Sequence, residues 1–139
     1  HEVMFSAAIA NDGVLVEPTL LKQVQSVDGK VVKTFGSGTK RTLMSGEEAS
    51  TLGGFMRRVV TEGTASVLRK ANYEAAGKTG SAEVMKDGKK STTAWFTGFA
   101  PYENPEIAIC VVVEDGETGG RTAAPIARKV MDYWLEERN

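Results

Sequence analysis

The sequence predicts an α+β fold, an antiparallel sheet packed by helices with a β-hairpin upstream of it, and three observations carry that prediction. Residues 75–113 hold three alternating or apolar runs separated by turn residues, which reads as a three-stranded meander. Two stretches of apolar residues at helical spacing, each opened by a capping residue, flank the meander. Near the start, Asp28-Gly29 stands between two β-rich runs, a turn dipeptide at hairpin spacing.

Taken in order, Val3, Met4, Ala7 and Ala8 recur at helical spacing, and Asn11-Asp12-Gly13 supplies residues that tolerate the left-handed backbone ending a helix. A helix over residues 2–10 follows. After Pro18, Leu20 to Val27 and Lys30 to Phe35 form the arms of the hairpin, closed by Gly36-Ser37-Gly38. Ser45 caps the next helix while Glu48 completes a capping box, and Leu52, Phe55, Met56, Val59 and Val60 form its apolar stripe. Gly53-Gly54 inside this helix costs about 1 kcal/mol per glycine relative to alanine, so either a neighbour packs close there or the helix bends. The meander comprises Ala75 to Val84, the turn Lys86-Asp87-Gly88-Lys89, Thr92 to Phe99, the turn Tyr102 to Pro105, and Ile107 to Val113. Beyond the glycine-rich loop Asp115 to Gly120, Thr122 caps a final helix with Pro125 in its first turn and a stripe of Ala127, Val130, Met131, Trp134 and Leu135.

Composition narrows the function. At 139 residues the chain is the size of one domain, and 17 Lys+Arg against 18 Asp+Glu leave a net charge of −1. No basic excess draws it to nucleic acid or anionic lipid. With 41% hydrophobic and 25% charged residues it has the make-up of an ordinary soluble domain. A single cysteine, Cys110, and a single histidine, His1, leave neither an internal disulfide nor a zinc site, so no metal and no cofactor is expected. The longest apolar run, Ile107 to Val113, falls far short of the roughly 20 residues of a membrane-spanning helix. Because the chain opens on His1-Glu2, without Met and inside a helical pattern, it reads as a piece of something longer.

Chemistry concentrates in Ala76-Gly77-Lys78-Thr79-Gly80-Ser81-Ala82-Glu83. On a strand, Lys78 and Gly80 face one way and Thr79 and Ser81 the other. One cation and two hydroxyls can hold a carboxylate, and a glycine lets another chain come close to the backbone. An exposed edge here would accept an extended peptide as an added strand. Taken alone, Lys-Thr-Gly is also what an ordinary solvated edge strand can contain. Trp95, Phe96 and Phe99 read as sheet and core packing, Cys110 as a buried small hydrophobe, Glu83 as an exposed strand-end carboxylate, and Arg57-Arg58 with Glu47-Glu48 as a solvated helix face.

With its flanks included, this segment resembles the C-terminal portion of penicillin-binding protein transpeptidase domains. The resemblance rests on Lys78-Thr79-Gly80-Ser81, Ala94-Trp95-Phe96-Thr97-Gly98-Phe99-Ala100-Pro101, Asn104-Pro105-Glu106-Ile107, Gly119-Gly120 and Ala123-Ala124-Pro125. Upstream it extends to Ala7-Ala8-Ile9-Ala10-Asn11 with Gly13, and to Val59-Val60 with Glu62-Gly63-Thr64-Ala65. The family implies a five-stranded antiparallel sheet between helices, of which the meander is a part. It also implies a serine acyl-enzyme formed with a peptidoglycan stem peptide ending in D-Ala-D-Ala, an ending that β-lactams imitate. By this resemblance Lys78 charges the cleft, and Thr79, Gly80 and Ser81 bind substrate. Thr79 takes the substrate carboxylate, and Ser81 gives its backbone N–H to the oxyanion hole.

The family's nucleophile motif, Ser-x-x-Lys, has one literal match, Ser37-Gly38-Thr39-Lys40, but it lies between glycines after a hairpin instead of on a rigid helix. No Ser-x-Asn occurs, and Tyr102-Glu103-Asn104 follows the Lys-Thr-Gly strand where the family's order needs it to precede, so it reads as a turn. Residues 1–139 therefore read as a single partial transpeptidase domain without a nucleophile, inactive alone. The competing functions are a serine β-lactamase fragment, a β-lactam sensor and a non-catalytic peptide-binding module. With the family's outer strands missing, Ile107 to Val113 would be a bare apolar edge, from which a homodimer is expected. The resemblance places the parent protein at the extracytoplasmic face of the bacterial cell membrane.

Overall fold

A computed structural model describes residues 1–36, 38, 40–86 and 88–137. Ser37 and Thr39 of the literal Ser-x-x-Lys match, and Asp87 of the meander's first turn, lie outside the described residues. The chain runs α1 (Glu2–Ala10), β1 (Val14–Val16), β2 (Gln23–Gln25), β3 (Val31–Thr34), β4 (Lys40–Thr42), α2 (Gly46–Thr61), a 3₁₀ turn (Ser66–Lys70), β5 (Ala76–Lys86), β6 (Lys89–Ala100), β7 (Ile107–Val113) and α3 (Ala124–Asp132). The fold is α+β, with β5-β6-β7 forming an antiparallel meander. None of the described helices is long and apolar enough to cross a membrane.

Each layer on the meander has a sequence cause. Alternate residues of β6, namely Ala94, Phe96 and Ala100, are buried against Val60 of α2, Leu68 of the 3₁₀ turn, and Ala123, Ala124, Ala127 and Met131 at and within α3. Most of these side chains are small, so helix and sheet backbones come close and the large groups Phe96, Leu68 and Met131 fill the remaining space; full burial of such a side chain stabilises by about 1.5–3 kcal/mol. On the opposite face of the sheet α1 lies across β6 and β7, and the buried Ser6 hydroxyl meets that of Thr97 at 2.6 Å. Arg128 of α3 ties the layers together, donating to Val67 O and Lys70 O while Tyr73 donates to Asp132 at 2.7 Å.

The capping box of α2 is present: Glu48 N–H donates to Ser45 Oγ at 3.2 Å, and Ser45 N–H donates to Glu48 Oε2 at 2.8 Å. Its buried face differs from the expected stripe. Ala49, Gly53 and Val60 are buried, whereas Leu52 and Phe55 are exposed. The face that turns inward is the one packed by Tyr102 and Phe99. A Cβ on Gly53 would stand in ordinary contact with the Tyr102 and Phe99 rings at 3.6 and 3.7 Å, and one on Gly54 with the Tyr102 hydroxyl at 3.8 Å, so the end of β6 and the turn after it pack directly on this part of α2. Arg57 is not part of a solvated face either, because its guanidinium donates to Ala75 O at 3.1 Å and to Glu74 at 2.5 Å, joining α2 to the entry of β5.

The upstream hairpin forms, with shorter arms than expected: β2 and β3 pair antiparallel with a register shift between Val24 and Gln25. A second pair, β1 with β4, matches Val14 to Thr42 and Val16 to Lys40 and brackets the hairpin. β7 pairs with β6 along one edge and has no strand on its other edge among the described residues.

Candidate functional site

β5 is the edge strand of the meander, hydrogen-bonded to β6 on one side. Its register sets the faces: Lys78 lies opposite Thr97 and Gly80 opposite Trp95 on the α1 side, while Thr79 lies opposite Phe96 and Ser81 opposite Ala94 on the side of α2 and α3. The alternation expected from the sequence is thus the one observed. Lys78 is exposed, its ammonium donating to Thr79 O at 2.6 Å, and it borders a cavity of about 230 Å³ with Glu2, Gly80, Trp95 and Thr97.

The two hydroxyls are held in different ways. Thr79 is only 8% exposed, and its Oγ1 lies 2.5 Å from Oγ1 of Thr64, in the loop that follows α2. Ser81 is exposed, and its Oγ accepts the N–H of Gly119 at 3.2 Å. Gly119 belongs to the wide helical turn Gly119–Ala123 that leads into α3. It lies against the backbone of β5: a Cβ there would come within 2.6 Å of Gly80 O and 2.8 Å of Gly80 N. The absence of a side chain on Gly119 thus lets the protein's own loop lie on the β5 backbone on the Ser81 face. Gly120 is pressed onto the carbonyl of Thr64, so Thr64, the loop and β5 form one contact set.

Other singled-out residues fall where their packing dictates. Glu83 is exposed at the far end of β5 and pairs with Lys90 at 3.6 Å. Trp95 is half-buried, while Phe96 and Phe99 are buried. Cys110 is half-buried, less than expected of a core residue, because β7 is an edge strand; desolvation and the Glu2 carboxylate push its thiol up. Tyr102, Glu103 and Asn104 form a turn. Thr64 and Gly119 carry no motif of catalytic type, and their contribution emerges only from the contact set; the sequence signal that could have found them was two short glycine-containing stretches, Gly63-Thr64-Ala65 and Gly119-Gly120.

A strand edge presenting a cation and two held hydroxyls is suited to an extended, anionic ligand. Known proteins give that geometry a context. Residues 1–132 match the family described as penicillin binding protein transpeptidase domain. Over 140 residues, 95% of this chain and 28% of the relative, the sequence is 34% identical to the peptidoglycan D,D-transpeptidase PbpA of Mycolicibacterium smegmatis. The D,D-transpeptidase domain of a peptidoglycan glycosyltransferase from Eggerthella lenta superposes with a TM-score of 0.84 at 34% identity, covering 99% of this chain and 31% of that one. Penicillin-binding protein A of M. tuberculosis, solved as its penicillin G acyl-enzyme complex, superposes at 0.82 with 29% identity, covering 96% of this chain and 31% of that one. The chain thus spans about a third or less of each of these proteins. By the family match and by the meander with its Lys78-Thr79-Gly80 edge strand, the chain belongs to the penicillin-binding protein transpeptidase domain family.

Proposed function

We propose that these 139 residues are the part of a peptidoglycan D,D-transpeptidase domain that presents the Lys-Thr-Gly strand to substrate, and that the nucleophilic serine, its lysine and the Ser-x-Asn motif come from outside them. The observation that carries this reading is the outer edge of β5, which has no strand on it among the described residues, with exposed Lys78 above a cavity and two hydroxyls along the strand. A stem peptide ending in D-Ala-D-Ala lies along that edge as an added strand. Lys78 charges the cleft. Thr79 and Ser81 donate to the terminal carboxylate, Gly80 keeps the strand free of a side chain on the cleft side, and the N–H of Ser81 faces the oxyanion. The serine oxygen attacks the penultimate D-Ala carbonyl, the terminal D-Ala leaves as an amine carrying the serine proton, and the acyl group then passes to the amine of a second stem peptide, forming an amide and restoring the serine hydroxyl. A β-lactam enters the same way and remains as an opened-ring ester. The parent protein works at the extracytoplasmic face of the bacterial cell membrane, where its substrate lies.

The test is acylation by a fluorescent penicillin read by intact mass. The 139-residue chain stays at its own mass, while a longer product of the same gene bearing Ser-x-x-Lys on a helix gains one penicillin. Lys78→Ala slows that acylation by about 10²-fold or more. A stoichiometric adduct on the 139-residue chain overturns the division of labour, and no adduct on the longer product overturns the enzymatic reading. The outer edge of β7 supports one further reading, a homodimer of the isolated chain through Ile107–Val113. Light scattering should show the mass rising with concentration, and a constant monomer mass overturns it.

A further inference from the structure

We propose that Thr64 is a positioning residue that, together with the backbone N–H of Gly119, turns the hydroxyls of Thr79 and Ser81 into a pair of outward donors selective for an anionic ligand end. This rests on the reading of the site given above and adds residues outside its motif.

Each of the two hydroxyls has a hydrogen-bond neighbour. Ser81 Oγ accepts an N–H from Gly119 at 3.2 Å. A hydroxyl that accepts from behind keeps its single proton for the ligand side, because a hydroxyl has one O–H to donate and two lone pairs to receive. Thr79 has a neighbour of its own. Its Oγ1 lies 2.5 Å from that of Thr64, the hydrogen-bond neighbour that sets its side-chain orientation. With Thr64 as donor, Thr79 too presents its proton outward, and the Thr64 backbone is held in place because Gly120 is seated on its carbonyl. Two hydroxyl protons kept for the ligand on one face of β5 favour a carboxylate over a neutral ester, since charge-assisted hydrogen bonds are roughly twice as strong as neutral ones.

The experiment compares benzylpenicillin with its methyl ester as acylating agents, in the longer gene product bearing the serine. Thr64→Val, nearly isosteric, lowers the acylation rate constant for the acid by about ten- to hundredfold and leaves that for the ester unchanged; Thr64→Ser restores the acid rate. Equal slowing of acid and ester, or no slowing of either, overturns the proposal. A second measurement needs no acylation: in the 139-residue chain the Thr79 side-chain rotamer, read from three-bond NMR couplings, is single in the wild type and averaged in Thr64→Val. A rotamer that stays single in Thr64→Val overturns the proposal. Failure of the wild type to be acylated instead sinks the transpeptidase reading and leaves this second measurement to decide the role of Thr64.

Discussion

The meander and the upstream hairpin are both antiparallel and both rich in valine, yet they are held together by different forces. In the meander, Ala94, Phe96 and Ala100 are wholly buried between α2, the 3₁₀ turn and α3, and α1 covers the other face. In the hairpin, Val24, Val31 and Val32 are exposed, and what maintains the pairing is local: Ser26 N–H donates to Lys30 O and Gly29 N–H to Ser26 O, both at 2.9 Å, and Lys33 sits 4.8 Å over the Phe35 ring. A two-stranded hairpin with neither face buried is marginal by itself. The same secondary structure is thus enforced by distant packing in one region and by turn chemistry in the other.

Three perturbations separate these regimes. Phe96→Ala removes the largest fully buried side chain and should cost about 3–5 kcal/mol in denaturant unfolding, lost by the whole domain together. A loss below 1 kcal/mol would mean that the meander is not the cooperative centre. Gly29→Ala places a side chain at φ +81°, where nothing stands within 4 Å, so the strain of the left-handed backbone acts alone. It should cost the hairpin about 1–2 kcal/mol in amide-exchange protection of β2 and β3, with the meander's amides unchanged. Acid supplies the smallest effect. The Ser26 hydroxyl, Asp28's own backbone amide and Lys30 hold the Asp28 carboxyl below its ordinary range. A folded-state value lowered in this way contributes stability above the unfolded value of about 3.9 and loses it as pH falls through the folded one. Hairpin protection should therefore decline on acidification through that window in the wild type and not in Asp28→Asn, and a parallel decline in both would exclude Asp28 as the cause.

Legibility in the sequence follows the same division. Features written locally were readable: the end of α1 at Asn11-Asp12-Gly13, the capping box at Ser45, the Asp28-Gly29 turn, and the alternation that puts Lys78 and Thr79 on opposite faces. Features that depend on what arrives from far along the chain were not. The apolar count along α2 favoured Leu52 and Phe55, but Tyr102 and Phe99 dock on its glycines and turn Gly53 inward. Arg57 carries the charge of a surface residue, and only the placement of Ala75 and Glu74 beside it draws its head inward. The β1–β4 pair is too short, at three residues each, to show a period. At the site, the Lys-Thr-Gly strand announced itself, while Thr64 and Gly119 became visible only once the chain had brought them to it.

Gly77 and Gly98 face each other across β5 and β6, and the Phe96 ring lies over both: a Cβ on Gly77 would fall within 2.6 Å of one ring carbon, and one on Gly98 within 3.0 Å of another. The consequence concerns which changes this sequence can accept. Removing the ring would not free these positions, because a Cβ on Gly98 would also press on the Ala76 carbonyl and come within 2.9 Å of the Gly77 Cα, and one on Gly77 would stand 2.9 Å from the Thr97 carbonyl. Both positions are closed to side chains by the backbone of the β5–β6 pair itself, just before Lys78, so no change at residue 96 can open them.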